Sequence, residues 1–221
     1  MSALQHCRSH AVRKNQIAMA SLQLIVVAVV VLSSYARAQP ADKVVVGFYA
    51  ESLCPDCINF SIKYMNVAFQ EIPSIFTLNY VPWGNAVIKG GSFDCQHGTM
   101  ECTINTIDAC VIHYYPNQTD FWPFVECMVE KGAFQDPTDA QNCAEKLSLK
   151  WDLIQPCYTG LMGHNLELMY ANETASLKPP HQYTPWITIN GEHSTDAENG
   201  DLIKVVCNTY QGSDKPAACN Q

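Results

Sequence analysis

The sequence has no long hydrophobic run. Its most extended apolar stretch, Leu24–Leu32, is nine residues, while a helix crossing a bilayer needs about 20. No membrane insertion is therefore expected. Basic residues are also scarce, with 13 Lys and Arg against 21 Asp and Glu and a formal charge of −8. That balance argues against nucleic acid and against anionic membrane surfaces as partners. No Gly-rich strand-to-helix turn of the nucleotide-binding kind occurs, so no cofactor is expected. Only one Cys-X-X-Cys is present, which removes the four-thiolate zinc ribbon; no metal site is expected. There is no internal repeat, low-complexity run or coiled-coil heptad.

What is present begins with a targeting pattern. Arg8, Arg13 and Lys14 precede the apolar run, and Ala36-Arg37-Ala38 supplies small residues at the two positions a signal peptidase reads. Residues 1–38 are expected to be a secretory signal peptide, with Met19 as an alternative start that would leave a first segment without basic residues. The remaining 39–221 would form one domain. Four of the 13 basic residues lie in 1–38, leaving nine against 21 acidic ones, a charge of −12. Cys7 also lies in that segment, so ten of the 11 cysteines remain. An even count behind a secretory signal reads as disulfides in an oxidising compartment. Two sequons in polar stretches, at Asn117 and Asn172, are candidate glycosylation sites. A third, at Asn59, falls in a predicted helix and is expected to be unused.

Val44-Val45-Val46-Gly47-Phe48-Tyr49 is a continuous β-branched and aromatic run, the pattern of a buried central strand. Five residues beyond Tyr49 comes Cys54-Pro55-Asp56-Cys57. Ile58, Ile62, Met65, Phe69 and Ile72 then recur at helical spacing, and Pro73 ends the pattern. Strand, short loop, Cys-X-X-Cys and helix together suit thiol chemistry. The thiolate is the nucleophile in disulfide exchange, and the first turn of a helix stabilises an anion with free N–H groups and the positive dipole end. Cys54 falls at the N-cap and Pro55 at N1, where a missing N–H costs nothing. Cys54 is thus the candidate exposed, attacking thiolate and Cys57 the resolving thiol. Ionised Asp56 would oppose this by raising the thiol pKa. Zinc ligation and a purely structural disulfide are the competing readings of the pair.

Further along, residues 75–81 read as a strand ended by Pro82, and Gly84, Gly90 and Gly91 as a loop. Helices are predicted over 100–114, 121–131 (stopped by Gly132), 139–150 (started by Asp136-Pro137-Thr138) and 163–176. Thr184-Pro185 then leads a strand to Ile189, with Asn190-Gly191 as a tight hairpin turn. Residues 201–207 form the last predicted helix.

The middle segment also contains Cys95-Gln96-His97-Gly98, two residues, Glu101-Cys102, two residues, Asn105, four residues and Cys110. This pattern resembles the signature of the gamma-interferon-inducible lysosomal thiol reductase family at every fixed position. With Cys54, Cys57 and the Pro185 strand, the resemblance spans roughly 44–210. It implies an α/β fold, a thioredoxin-like core with a helical, disulfide-rich insertion at about 83–180. It implies that Pro185 is cis and, with Thr184, faces the cysteine pair. It implies reduction of protein disulfides at acidic pH in endosomes or lysosomes, or after secretion, with a small thiol such as cysteine or glutathione as reductant. Cys95, Cys102, Cys110, Cys127, Cys143, Cys157, Cys207 and Cys219 are expected to be structural disulfide partners, in any of about 105 pairings. His97 reads as a loop-fixing residue ahead of a proton shuttle or a zinc ligand. Two other functions stand beside this one: a disulfide oxidase or isomerase of the secretory pathway, disfavoured by a C-terminus (Cys219-Asn220-Gln221) without a retention signal, and a non-catalytic, disulfide-rich binding protein.

Overall fold

A computed structural model describes residues 41–131 and 136–220. The predicted signal segment 1–38 and the Gly132 helix stop lie outside the described residues.

Strand β1 (Val44–Ala50) is the centre of a four-stranded sheet in the order β2-β1-β5-β6. Its run of Val, Phe and Tyr is buried except at Val45, as a strand covered on both faces requires. β2 (Phe76–Pro82) pairs with it in parallel, with Val44 opposite Phe76 and Ala50 opposite Pro82. Parallel neighbours need a crossover, and α1 provides it. This helix starts at Pro55–Phe60, passes through a π-helical turn at Ser61–Met65 and finishes as Asn66–Glu71. The π turn adds a residue to the cycle and rotates the face that follows. As a result Ile62, expected on the buried face, is 44% exposed, and Ser61 is buried in its place. Phe48 packs against Phe60 (5.1 Å between ring centroids) and Tyr80 (5.4 Å), and all three are buried. Each such ring contributes about 1.5–3 kcal/mol by leaving water.

Among the described residues, a hairpin and five helices lie between β2 and the third core strand. The hairpin, β3 (Val87–Lys89) and β4 (Ser92–Asp94), occupies the segment expected to be a loop. Its strands are short and mostly exposed, so they lack the apolar alternation that marks a strand. The helices are α2 (Thr99–Tyr114), α3 (Gln118–Lys131), α4 (Pro137–Lys146), α5 (Trp151–Tyr158) and α6 (Leu161–Ala175). The sequence did not reveal α5, which is short and contains Pro156. It also ran α4 four residues too far; the chain turns at Ser148, whose φ is 60°. α2 is buried over most of its length and packs on α5, α6 and β2.

Among the described residues, four disulfides fix this assembly. Cys110–Cys157 joins α2 to α5, Cys127–Cys143 joins α3 to α4, and Cys95–Cys102 closes the loop into α2. Cys207–Cys219 ties α7 (Leu202–Thr209) to the C-terminal turn. β5 (Trp186–Ile189) runs antiparallel to β1 and turns into β6 (Glu192–His193) through Asn190 (φ 51°) and Gly191 (φ 87°). Both turn residues have positive φ, the demand that Asn-Gly meets. No helix among the described residues is long and apolar enough to cross a membrane.

Candidate active site

β1 delivers the chain to the N-terminus of α1, and the cysteine pair sits at that junction. Cys54 is the N-cap, in extended conformation, and Pro55 is the first helical residue. The Cys57 N–H donates to Cys54 Sγ at 3.4 Å. From the other side comes the segment ahead of β5: the Thr184 hydroxyl donates to Cys54 Sγ at 3.7 Å, and the Thr184 carbonyl lies 4.0 Å from it. The Thr184–Pro185 peptide is cis. Cys54, Cys57, Pro55, Thr184 and Pro185 therefore meet at one point. Cys54 and Cys57 are free thiols, while the other eight cysteines among the described residues form the four bridges.

The two thiols differ strongly. Cys54 is lowered to about 6. The hydrogen bond from the Cys57 side chain contributes most, burial opposes it, and the Cys57 N–H, the Thr184 side chain and the Asp56 N–H add to it. Asp56 thus acts on the thiol through its backbone, with the stabilising sign. Cys57 is pushed well above the usual thiol range, first by burial and then by the hydrogen bond and charge of Cys54. The expected exposure of Cys54 is corrected by the structure: it is 6% exposed, because Thr184 covers the sulfur. It remains the outer of the two, with Cys57 at 2%. Beside the pair runs an open groove of about 550 Å³, bordered by Asp56, Asn59, Tyr64, Tyr183 and Pro185.

The signature segment is built onto this site, a relationship the spacing of its residues does not disclose. The Asn105 side-chain oxygen accepts from the Ser52 N–H (2.9 Å) and hydroxyl (2.6 Å), so α2 holds the loop that leads into Cys54. Asn85 donates through its side chain to Gln96 (2.8 Å) and to the Thr184 hydroxyl (3.5 Å). Glu51, three residues before Cys54, is 1% exposed and takes the Asn85 N–H at 2.6 Å. Gly84 makes room for it: φ is +59°, and a Cβ there would lie 2.2 Å from Glu51 Cγ. Burial pushes Glu51 up to about 7; the Asn85 N–H and His97 oppose this, and the charges of Glu101 and Cys54 reinforce it. His97 Nδ1 lies 2.6 Å from Glu101 Oε2 and 3.4 Å from Glu51 Oε2. Burial disfavours the imidazolium, but the Glu101 hydrogen bond and charge, with Glu51 and Cys54 behind them, leave the His97 pKa raised. The single sequence cue to these partners is the i, i+4 spacing of His97 and Glu101.

Behind the pair, within the same core cluster as Cys54 and Cys57, Tyr80 donates to Asp108 Oδ2 at 3.4 Å. Asp108 Oδ1 and Glu167 Oε1 are buried without a hydrogen-bond partner. Burial raises Asp108 to about 8 and Glu167 well above the carboxylate range, Glu167 further through the charge of Asp108. Of the sequons, Asn117 is exposed at the start of α3, and Asn59 and Asn172 are exposed on α1 and α6.

Residues 45–147 match the family model described as gamma interferon inducible lysosomal thiol reductase. A gamma-interferon-inducible lysosomal thiol reductase of Carassius auratus is 39% identical over 190 residues, covering 82% of this chain and 74% of that protein. A gamma-interferon-responsive lysosomal thiol protein of Arabidopsis thaliana is 34% identical, over 81% and 77% of the two chains. Among solved structures, oxidised BdbD from Bacillus subtilis superposes with a TM-score of 0.57 at 18% identity, covering 76% of this chain and 89% of that one. Reduced DsbG from Mycobacterium tuberculosis gives 0.56 at 19%, over 80% and 84%. These two similarities carry the fold, which is thioredoxin-like. The sequence matches carry the family: this chain belongs to the gamma-interferon-inducible lysosomal thiol reductases.

Proposed function

We propose that this thiol–disulfide oxidoreductase works as a reductase of protein disulfides, with Cys54 as nucleophile and Cys57 as resolving thiol. The observation that carries this reading is the asymmetry of the pair: Cys54 lowered to about 6 at a helix N-terminus, Cys57 raised and more deeply buried. The Cys54 thiolate attacks one sulfur of a substrate disulfide. A mixed disulfide forms, and the other substrate sulfur leaves as a thiolate that takes a proton from water. Cys54 is then neutral, so its charge and its hydrogen bond no longer hold the Cys57 proton in place. Cys57 loses that proton and attacks Cys54 Sγ, releasing the second substrate thiol and leaving a Cys54–Cys57 disulfide. Two equivalents of a small thiol, cysteine or glutathione, restore the dithiol and become a disulfide themselves.

A thiol near 6 keeps roughly one-tenth of its thiolate at pH 5, against about one in ten thousand for an ordinary thiol near 9. That difference suits an acidic endosomal or lysosomal compartment, and the names of the two relatives carry the word lysosomal. Cleavage of residues 1–38 and secretory transit belong to the same reading, as do glycans on Asn117 and Asn172.

One observation favours the oxidase reading. A stabilised thiolate stabilises the reduced enzyme and makes its disulfide a stronger oxidant. Below pH 6 Cys54 is largely protonated and this advantage shrinks. The deciding assay is insulin reduction at about pH 5 and about pH 7, beside Cys54→Ser and Cys57→Ser. The reductase reading requires turnover at acid pH, its loss in both variants, and a trapped mixed disulfide in Cys57→Ser alone. Turnover that survives Cys54→Ser, or net oxidation of reduced substrate at acid pH, removes it.

A further inference from the structure

Glu51, His97 and Glu101 come from two parts of the chain, the loop after β1 and the turn into α2. One carboxylate oxygen of each Glu and the imidazole nitrogen all lie within 4.8 Å of one another. We infer that this cluster is a binding site for a divalent transition-metal ion, zinc being the ion its donors suit best.

The argument starts from a proton shortage. Glu101 Oε1 accepts the His97 backbone N–H at 3.0 Å, and Glu51 Oε1 accepts the Asn85 N–H at 2.6 Å. Each carboxylate is thus anchored through one oxygen and turns the other toward His97 Nδ1. That nitrogen carries at most one proton, and its short contact, 2.6 Å, is to Glu101 Oε2. Glu51 Oε2 is left with no hydrogen bond, on a side chain with 0% exposure. Among the described residues neither carboxylate is paired with Lys or Arg. A buried oxygen without a partner is costly, the more so when it is charged. Here it faces the one spot where a cation would meet two carboxylates and an imidazole.

The spacing suits an ion as well. Tetrahedral zinc with ligands at about 2.0–2.1 Å separates those ligands by roughly 3.3 Å. His97 Nδ1 and Glu51 Oε2 are already 3.4 Å apart. The 2.6 Å contact to Glu101 must open by roughly 0.7 Å to match that zinc geometry. The imidazole can supply this by rotating, since its side chain is 33% exposed while the two carboxylates are enclosed. That exposure also gives the ion its entry. Anchoring of each carboxylate by a backbone N–H provides the outer-sphere order that metal sites need. An imidazole with two carboxylates suits zinc better than magnesium or calcium, which take oxygen donors and more of them. The site departs from the expectation of no metal drawn from the sequence, where Glu51 stood far from the signature and His97 read as a loop-fixing residue. An ion here would sit on the loop that carries Cys54, whose N–H is bonded to the Glu51 carbonyl at 3.3 Å.

The test uses the Cys54→Ser/Cys57→Ser protein, which has no free thiol among the described residues to bind zinc in its own right. Zinc alone is titrated by calorimetry, and cobalt is added as a spectroscopic probe. The expected result is one zinc per chain and a cobalt d–d spectrum without thiolate charge transfer. Replacing His97 by Asn should weaken zinc binding by more than about tenfold, a scale that outer-sphere partners already reach. Glu101→Gln should weaken it as well, with thermal melting showing that each variant is folded. His193→Asn, which disrupts a His with a single carboxylate partner, Glu198 at 2.8 Å, should leave it unchanged. A Ser/Ser protein that retains no zinc, or a folded His97→Asn variant that binds zinc equally well, overturns the site. Reductase activity is not read, so the outcome is independent of the proposed function.

Discussion

Thr184 and Cys54 are 130 residues apart in the chain, yet the Thr184 hydroxyl donates to Cys54 Sγ at 3.7 Å. The same residue offers its carbonyl, 4.0 Å away, to the protonated thiol. Thr184 can therefore serve both protonation states, and its hydroxyl favours the thiolate. Thr184→Val keeps the shape and removes the donor. A hydrogen bond of this kind contributes about 0.5–1.5 kcal/mol, and one pKa unit is about 1.4 kcal/mol. The Cys54 pKa should rise by up to about one unit, read from the pH dependence of iodoacetamide alkylation. An unchanged midpoint would remove Thr184 from the account.

Cys57 should matter more. Its side chain is the largest single cause of the lowered Cys54 pKa. Cys57→Ala should move the Cys54 alkylation midpoint from about 6 toward the ordinary thiol range. Cys57→Ser retains a donor and should hold the midpoint near the parent value. If Ala and Ser titrate alike, the N–H groups of the helix set the thiolate and the neighbouring thiol does not.

Buried carboxyls fix the sign of the pH dependence of stability. Asp108 is raised from 3.8 to about 8 in the folded protein, and Glu51 and Glu167 shift the same way. A carboxyl whose folded pKa is raised binds its proton more tightly in the native state. The stability it contributes is complete below the unfolded pKa, near 4, and is lost as pH rises through about 8. The urea midpoint should accordingly be higher at about pH 5 than at about pH 8. Asp108→Asn should flatten that difference. A midpoint that climbs from pH 5 to pH 8 would falsify the assignment.

The disulfides should differ in worth by the loops they close. Cys110–Cys157 spans 47 residues and Cys207–Cys219 spans 12. Chain-entropy reasoning assigns about 4 kcal/mol to the first and about 3 kcal/mol to the second. Paired Ala variants compared by urea unfolding test the order; the reverse order means that local packing outweighs loop closure.

The parts of the fold that are local in sequence were legible. The run from Val44 to Tyr49 announces a buried strand, Cys54-Pro55 announces a helix start, and Asn190-Gly191 announces its hairpin. The phase of α1 was not, because the π turn at Ser61–Met65 shifts the buried face without altering the apolar count. The β3–β4 hairpin was hidden behind Gly90 and Gly91, and α5 behind Pro156. At the site, residue types at fixed spacing disclosed the cysteine pair. The contacts of Asn105 with Ser52, of Asn85 with Thr184, and of Glu51 with His97 depend on how distant segments pack. Disulfide connectivity was open for the same reason.

Cys110 and Cys143 are 0% exposed, Cys157 is 2%, Cys207 is 4% and Cys127 is 6%. On the proposed recharging by a small thiol, the reagent that restores the Cys54–Cys57 pair could also reduce the structural bridges. Thiol exchange needs a direct approach to sulfur, and Cys110–Cys157 lies deeper than Cys54, which is itself 6% exposed. Cys95–Cys102 and Cys207–Cys219 are the more accessible bridges: Cys95 is 9% exposed, Cys102 and Cys219 are only partly covered, and the first bridge closes the turn that holds His97 beside Glu51.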